Sequence, residues 1–152
     1  MSEITPHPIT ILVAEDDLDD RLLLTEAFRE TRVANTVCFV DDGIELLNYL
    51  RRLGKYADPD PFPVPDIVLL DLNMPRRDGR EALEDIKADA LLRRMPVVIL
   101  TTSKAEEDIV RSYDIGAAGY ITKPVTFAAL VEAVRGLAEY WVQIVKLPEK
   151  EN

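Results

Sequence analysis

The amino-acid sequence predicts an α/β fold, a parallel sheet with helices packed on both of its faces. Two observations carry this expectation. Short, apolar, β-branched runs alternate five times with longer stretches of helical periodicity. Polar residues able to do chemistry fall at or just after the ends of those runs, as Glu15-Asp16, Asp71, Thr101 and Lys123. In an open α/β sheet that edge is where ligands bind.

The elements follow in order. Residues 9–14 form a short apolar strand that stops at Glu15-Asp16-Asp17. A helix is expected over 18–32, with Leu22, Leu23, Ala27 and Phe28 on its inner face. A second strand spans 36–40, and Asp41-Asp42-Gly43 turns it into a helix through Leu46, Leu47 and Leu50. Pro59, Pro61, Pro63 and Pro65 make 55–65 a loop, since proline breaks helices and ladders. Residues 66–71 are apolar until the final acid, as in a strand buried on both faces. A helix over 79–90 precedes the strand 97–101, and a helix over 105–115 stops at Gly116, suited to a left-handed cap. The last strand is 119–123, and the last helix runs from Thr126 to about Ile144. The expected division is a leader over 1–8, one domain over 9–145 and a frayed tail over 146–152.

A chain of 152 residues can bury one sizeable core, and 47% hydrophobic with 30% charged residues is ordinary for a globular protein. No apolar run approaches the roughly 18 residues of a membrane span, and no secretory signal opens the chain. A single cysteine, Cys38, fits a reducing cytoplasmic setting and reads as a small core residue. The net charge of −10 argues against a nucleic-acid partner, which would call for a basic face. Excess acid can instead collect where a cation binds.

A carboxylate can attack a phosphoryl group and carry it as an acyl phosphate. The charge on the transferring oxygens is then offset by a divalent cation and by a fixed ammonium or hydroxyl group. Mg²⁺ prefers oxygen ligands and keeps some waters, so two or three carboxylates suffice. Asp16 and Asp71 suit direct ligation, Glu15 can hold the ion directly or through water, Lys123 supplies positive charge, and Thr101 supplies a hydroxyl donor. Each has a plainer reading. The three acids at 15–17 could cap a helix, Asp71 a strand end, and Lys123 could be a surface charge. Their joint placement at one sheet edge favours a single site. His7, the only histidine, sits between prolines before the first strand and reads as a surface residue.

Four motifs resemble those of receiver domains of two-component response regulators: ILVAEDD at 11–17, DIVLLDLNMPRRDG at 66–79, PVVILTTS at 96–103 and GAAGYITKP at 116–124. The spacing of Asp71, Met74, Pro75, Asp78 and Gly79 is the most specific part. The resemblance implies a flavodoxin-like, five-stranded sheet of order 2-1-3-4-5. It implies that a histidine kinase phosphorylates Asp71, with Mg²⁺ held by Asp16, Asp71 and the backbone carbonyl of Asn73, supported by Glu15. Lys123, ahead of a cis Pro124, would contact the phosphoryl group, and Thr101 with Tyr120 would be the switch pair. Such a chain catalyses only its own phosphoryl transfer and dephosphorylation. Thr102 is bulkier than is usual at its position, and Asn73 and Ser103 stand where the family tunes hydrolysis. The long proline-rich loop and the ending AEYWVQIVKLP resemble stand-alone regulators paired with bacteriophytochromes.

Too few residues follow the last helix for an effector domain, so output is expected through protein contact or onward phosphotransfer. Phe127, Leu130, Val134, Leu137, Trp141 and Ile144 step by three and four along roughly 27 Å of helix. Its first half is expected to pack on the sheet, and its later turns, with Trp141 and Val145, to form a homodimer surface. Two other functions compete. An aspartyl-phosphate hydrolase of the haloacid-dehalogenase type needs a second Asp two positions after the nucleophile, where this chain has Asn73. A flavin-binding module needs a phosphate-cradling loop where Glu15-Asp16-Asp17 would repel the phosphate.

Overall fold

Alternation along the strands decides which face of the sheet each helix covers. The strands are β1 (Ile9–Ala14), β2 (Asn35–Val40), β3 (Ile67–Asp71), β4 (Val97–Thr101) and β5 (Gly119–Thr122). The helices are α1 (Leu18–Glu30), α2 (Gly43–Leu50), α3 (Gly79–Ala88), α4 (Lys104–Ser112) and α5 (Phe127–Lys150). This computed structural model describes residues 9–31, 35–72 and 78–150 and, of residues 35, 138 and 140–150, the backbone alone. All neighbouring strands pair in parallel, in the expected order β2-β1-β3-β4-β5.

One face of the sheet presents Ile9, Ile11, Val13, Ile67, Leu69, Val98 and Leu100 to Leu24, Ala27 and Phe28 of α1 and to Val134 and Leu137 of α5. The opposite face presents Leu12, Ala14, Val68, Leu70, Val97 and Ile99 to α2, to α3 and to Val110 of α4. With helices on both sides, every residue of β3 and β4 is buried, hence their unbroken apolar runs. Each such Leu, Ile or Val stabilises the fold by about 1.5–3 kcal/mol relative to exposure.

The inner face of α1 differs from expectation by part of a turn. Leu22 and Leu23 are 66% and 46% exposed, and Leu24 joins Ala27 and Phe28 in the core. The run Leu22-Leu23-Leu24 has no polar break to set the helical phase, and the packing of α1 against β1 and α5 sets it instead. The helix starts are fixed by side chains that accept backbone N–H groups. Asp17, Asp42, Asp78 and Ser103 cap α1, α2, α3 and α4, and Asp78 forms a full capping box with Glu81.

The proline-rich loop is more ordered than its composition suggests. It opens with a 3-10 turn at Gly54–Ala57. Tyr49, Tyr56 and Phe62 then close on one another with ring centroids 4.9 to 5.8 Å apart. Tyr49 Oη donates to the Pro63 carbonyl at 2.7 Å, tying the loop to α2. Cys38 is half-buried against the α2 side of the core. α4 ends at Ser112, earlier than expected, and the chain leaves it through two left-handed residues, Asp114 and Gly116. α5 continues to Lys150, past the expected end at Ile144. Its Val134 and Leu137 are buried as expected, whereas Phe127 is 42% exposed.

Candidate functional site: an acidic cluster at the sheet edge

The parallel ladders continue past the strand ends and fix the backbone of the site. Glu15 N–H donates to the Val40 carbonyl at 3.0 Å, Leu72 N–H to Leu100 at 3.3 Å and Lys123 N–H to Thr101 at 2.8 Å. Asp71 is paired opposite Leu100, and Thr101 opposite Thr122. The chain ends of β1, β3, β4 and β5 therefore emerge side by side.

Carboxylate oxygens of Glu15, Asp16 and Asp71 lie within 4.8 Å of one another. Glu15 and Asp71 are 1% and 3% exposed, while Asp16 opens to solvent. This is a hard-oxygen donor set with one open side, and it fits a divalent cation that keeps part of its water shell. Lys123 closes the inner side. Its Nζ donates to Glu15 Oε1 at 3.1 Å, to Asp71 Oδ2 at 3.2 Å and to Asp20 Oδ2 at 3.2 Å.

Burial raises the Glu15 carboxyl to about 7, helped by the neighbouring Asp71 and opposed by the Asp17 N–H and by Lys123. Burial pulls the Lys123 ammonium down, but the carboxylates of Asp71, Glu15 and Asp20 outweigh it, and its pKa is raised. Lys123 is thus held charged near neutral pH, beside a Glu15 carboxyl that titrates close to that pH.

The third acid of the loop does a different job. Asp17 caps α1 by accepting Asp20 N–H at 3.0 Å, and its own N–H donates to Glu15 Oε2 at 3.1 Å. The capping reading is right for Asp17, and the cluster takes Glu15 and Asp16. Arg21 Nε donates to the Glu15 carbonyl at 2.6 Å and so anchors the loop from α1.

Gly79 supports Asp71 from below. Its N–H donates to the Leu72 carbonyl at 3.1 Å, and a Cβ there would stand 2.6 Å from the Asp71 carbonyl oxygen and 2.9 Å from Leu72 Cα. Only glycine permits that approach. Ser103 caps α4, and the exposed Thr102 is tied through both its N–H and its hydroxyl to Glu106.

Thr101 is fully buried, and its hydroxyl meets Thr122 Oγ1 at 3.3 Å. Tyr120 is half-buried, with the Arg111 guanidinium 4.4 Å from its ring centroid. The peptide bond before Pro124 is trans, not cis as expected. With that bond trans and its backbone pinned to Thr101, Lys123 already reaches all three of its acidic partners. Asn73 lies outside the described residues, as do the side chains of Trp141 and Val145.

Two residues of this region escape a reading of the sequence alone. Asp20 lies in the first turn of α1, where an acid reads as ordinary helix-start chemistry, yet its carboxylate accepts from Lys123 at 3.2 Å. Glu107 shows only an ordinary helical pairing with Arg111, yet it is 6% exposed and accepts from Thr122 of the adjoining β5.

Comparison with known proteins places this geometry. Residues 11–135 match the response regulator receiver domain. The chain belongs to that family, a signalling family of two-component systems. Response regulator Rcp1 from Synechocystis is 36% identical over 97% of this chain and 99% of its own length. Among solved structures, the phosphorylated cyanobacterial phytochrome response regulator RcpA is 43% identical, with a TM-score of 0.78 over 90% of this chain and 95% of that one. RPA3017, a response regulator in red light signalling of R. palustris, is 41% identical, with a TM-score of 0.81 over 88% and 93%. Among the described residues no helix is long and apolar enough to cross a membrane.

Proposed function

We propose that Asp71 is the phosphoacceptor of this response regulator, that Glu15, Asp16 and Asp71 hold Mg²⁺, and that a histidine kinase of the bacteriophytochrome type supplies the phosphoryl group. The observation that carries the reading is the meeting of three carboxylates within 4.8 Å with the Lys123 ammonium 3.2 Å from Asp71. A Mn²⁺-bound structure of Rcp1, 36% identical to this chain, supports a divalent ion in such a cluster. The backbone carbonyl of Asn73 is proposed as a further ligand.

In the proposed reaction an Asp71 carboxylate oxygen attacks phosphorus, the P–N bond of the donor phosphohistidine breaks, and the imidazole leaves with its electron pair and takes up a proton. The cation supplies charge compensation for the phosphoryl oxygens. Lys123, already beside Asp71, takes one of those oxygens, and the Thr101 hydroxyl takes another. Asn73 and Ser103, two positions after Asp71 and Thr101 respectively, are proposed to tune how long the acyl phosphate lasts. Tyr120 completes the switch on the side of the sheet where α4 and β5 meet.

Exposed apolar side chains lie on the elements that adjoin this site. Leu18, Leu22 and Leu23 stand out from α1, and Val125 and Phe127 follow β5. Leu23, Pro124 and Lys123 line one pocket, so the two groups adjoin. An apolar rim beside a phosphoacceptor suits a helical kinase partner. The two phytochrome and red-light regulators among the relatives favour a photoreceptor kinase. Output through a homodimer of α5, or onward phosphotransfer in a relay, belongs to the same proposal, as does a cytoplasmic setting.

The test is incubation with acetyl phosphate and Mg²⁺, followed by intact mass. A Mg²⁺-dependent gain of one phosphoryl group in the wild type, absent in Asp71→Asn, is the expected result. Rapid multiple turnover of a generic phosphate ester would replace this reading by a hydrolase.

A further inference from the structure

Glu107 is a buried carboxylate that the proposed phosphoryl chemistry does not use. It lies on α4 with 6% exposure. Thr122 Oγ1 donates to its Oε1 at 2.9 Å, and Arg111 Nε and Lys104 Nζ donate to its Oε2 at 2.8 and 3.3 Å. Thr122 Oγ1 also lies 3.3 Å from Thr101 Oγ1.

Donor bookkeeping fixes the direction of that last contact. A hydroxyl has one proton to give, and an ionised carboxylate can only accept. Thr122 gives its proton to Glu107, so in the Thr101–Thr122 contact Thr101 must donate and Thr122 accept. The Thr101 proton is therefore committed to β5. A phosphoryl group on Asp71 needs that same proton for one of its oxygens.

We propose that Glu107 and Thr122 form a latch that parks the Thr101 hydroxyl and opposes its turn toward the phosphorylated site. This rests on the reading of Asp71 as phosphoacceptor. Glu107 and Thr122 are positioning residues, acting through Thr101. The same carboxylate holds Arg111, which lies over Tyr120, so the latch also joins the buried threonine to the aromatic ring at the surface.

The latch makes an unusual demand on its variants, because removing a native hydrogen bond must tighten binding. In Thr122→Val, Thr101 loses its parked partner, and a phosphoryl mimic then supplies a partner that the free chain lacks. In Glu107→Ala, Thr122 regains its proton and can donate to Thr101, leaving Thr101 free to donate to the mimic. Each change is expected to tighten binding by roughly three- to tenfold, the range set by one neutral hydrogen bond. The double variant should gain no more than Thr122→Val alone, because both changes act on one bond. Thr122→Ser keeps the hydroxyl and should stay within about twofold of wild type.

The experiment is ¹⁹F NMR titration of the full chain with beryllofluoride and Mg²⁺, reading the bound signal for wild type, Thr122→Val, Thr122→Ser, Glu107→Ala and Asp71→Asn. Tighter binding in Thr122→Val and Glu107→Ala, with Thr122→Ser unchanged, supports the latch. A variant that merely loosened the fold would bind more weakly, so equal or weaker binding in Thr122→Val overturns the latch. Should Thr122→Val fail to fold, Glu107→Ala decides on the same criterion. If wild type takes up no beryllofluoride, or Asp71→Asn takes up as much, the phosphoacceptor reading falls and the latch with it.

Discussion

The ammonium of Lys123 stands 3.2 Å from Asp71 Oδ2, and it reaches this strand end from the opposite side of β4. One cation from the edge of the sheet thus compensates acids on β3, the β1–α1 loop and α1. The measurable behaviour of the site follows from that imbalance.

Replacing Lys123 by Met should destabilise the metal-free chain. Removing one partner from a buried ion pair costs about 3–5 kcal/mol when the other charge stays buried. Here the cost is expected at about 2–3 kcal/mol, because Glu15 can take up a proton in compensation. Urea unfolding in chelator should show the loss, and saturating Mg²⁺ should recover most of it. A Lys123→Met chain as stable as wild type in chelator would contradict this account of the cluster.

Cation binding should depend on pH through Glu15. Its carboxyl holds a proton up to about 7, and that proton must leave before a cation can take its place. Apparent Mg²⁺ affinity should therefore fall as pH drops below about 7, approaching tenfold per unit, and level off above it. Glu15→Gln should bind more weakly with a flatter profile, as calorimetric titration between pH 5.5 and 8 would show.

The stability of the metal-free chain should run the other way. The folded chain keeps the Glu15 proton to about 7, whereas the unfolded chain releases it near the ordinary 4.5. Between these values the folded state binds more protons, so the Glu15 contribution is full below about 4.5 and is lost as pH rises through about 7. Subtracting the Glu15→Gln unfolding profile from that of wild type in chelator isolates this slope.

Two glycines should respond oppositely to alanine. At Gly79 the new Cβ meets the Asp71 carbonyl and Leu72 Cα, both backbone atoms that cannot swing aside. Gly79→Ala should cost about 1–3 kcal/mol and slow phosphorylation by acetyl phosphate, since β3 must shift. At Gly136, within α5, nothing lies within 4 Å of the added atom, and Gly136→Ala should stabilise by up to about 1 kcal/mol. Thermal melts of the two variants, moving in opposite directions, check both.

A homodimer through the later turns of α5 should appear in equilibrium sedimentation at tens of micromolar, and Trp141→Ala should weaken it. A monomer throughout, with and without beryllofluoride, would remove this part of the proposal.

Much of the fold is legible in the sequence because strand alternation and strand-end chemistry are local signals. Asp71 and Thr101 close apolar runs, Lys123 follows one, and each lies at the sheet edge as expected. The phase of α1 is not legible, because three consecutive leucines leave it to the packing partners. The reason for Gly79 is hidden too, since the carbonyl it touches belongs to a residue eight positions earlier. Glu107 is hidden for the same kind of reason: its partner Thr122 is fifteen residues away, and only the docking of α4 beside β5 buries the pair.

The burial of the strands has a consequence for which parts of the sheet open first. β3 is buried along its whole length at the middle of the sheet, while every residue of β5 is half-buried at its margin. Amide hydrogens of β3 should exchange with solvent only on global unfolding, and those of β5 through smaller, local openings. Asp71 thus sits on the part of the molecule that yields last, and Tyr120 and Thr122 on a part that can yield early. Motion at β5 can then answer an event at Asp71 while the rest of the domain stays folded.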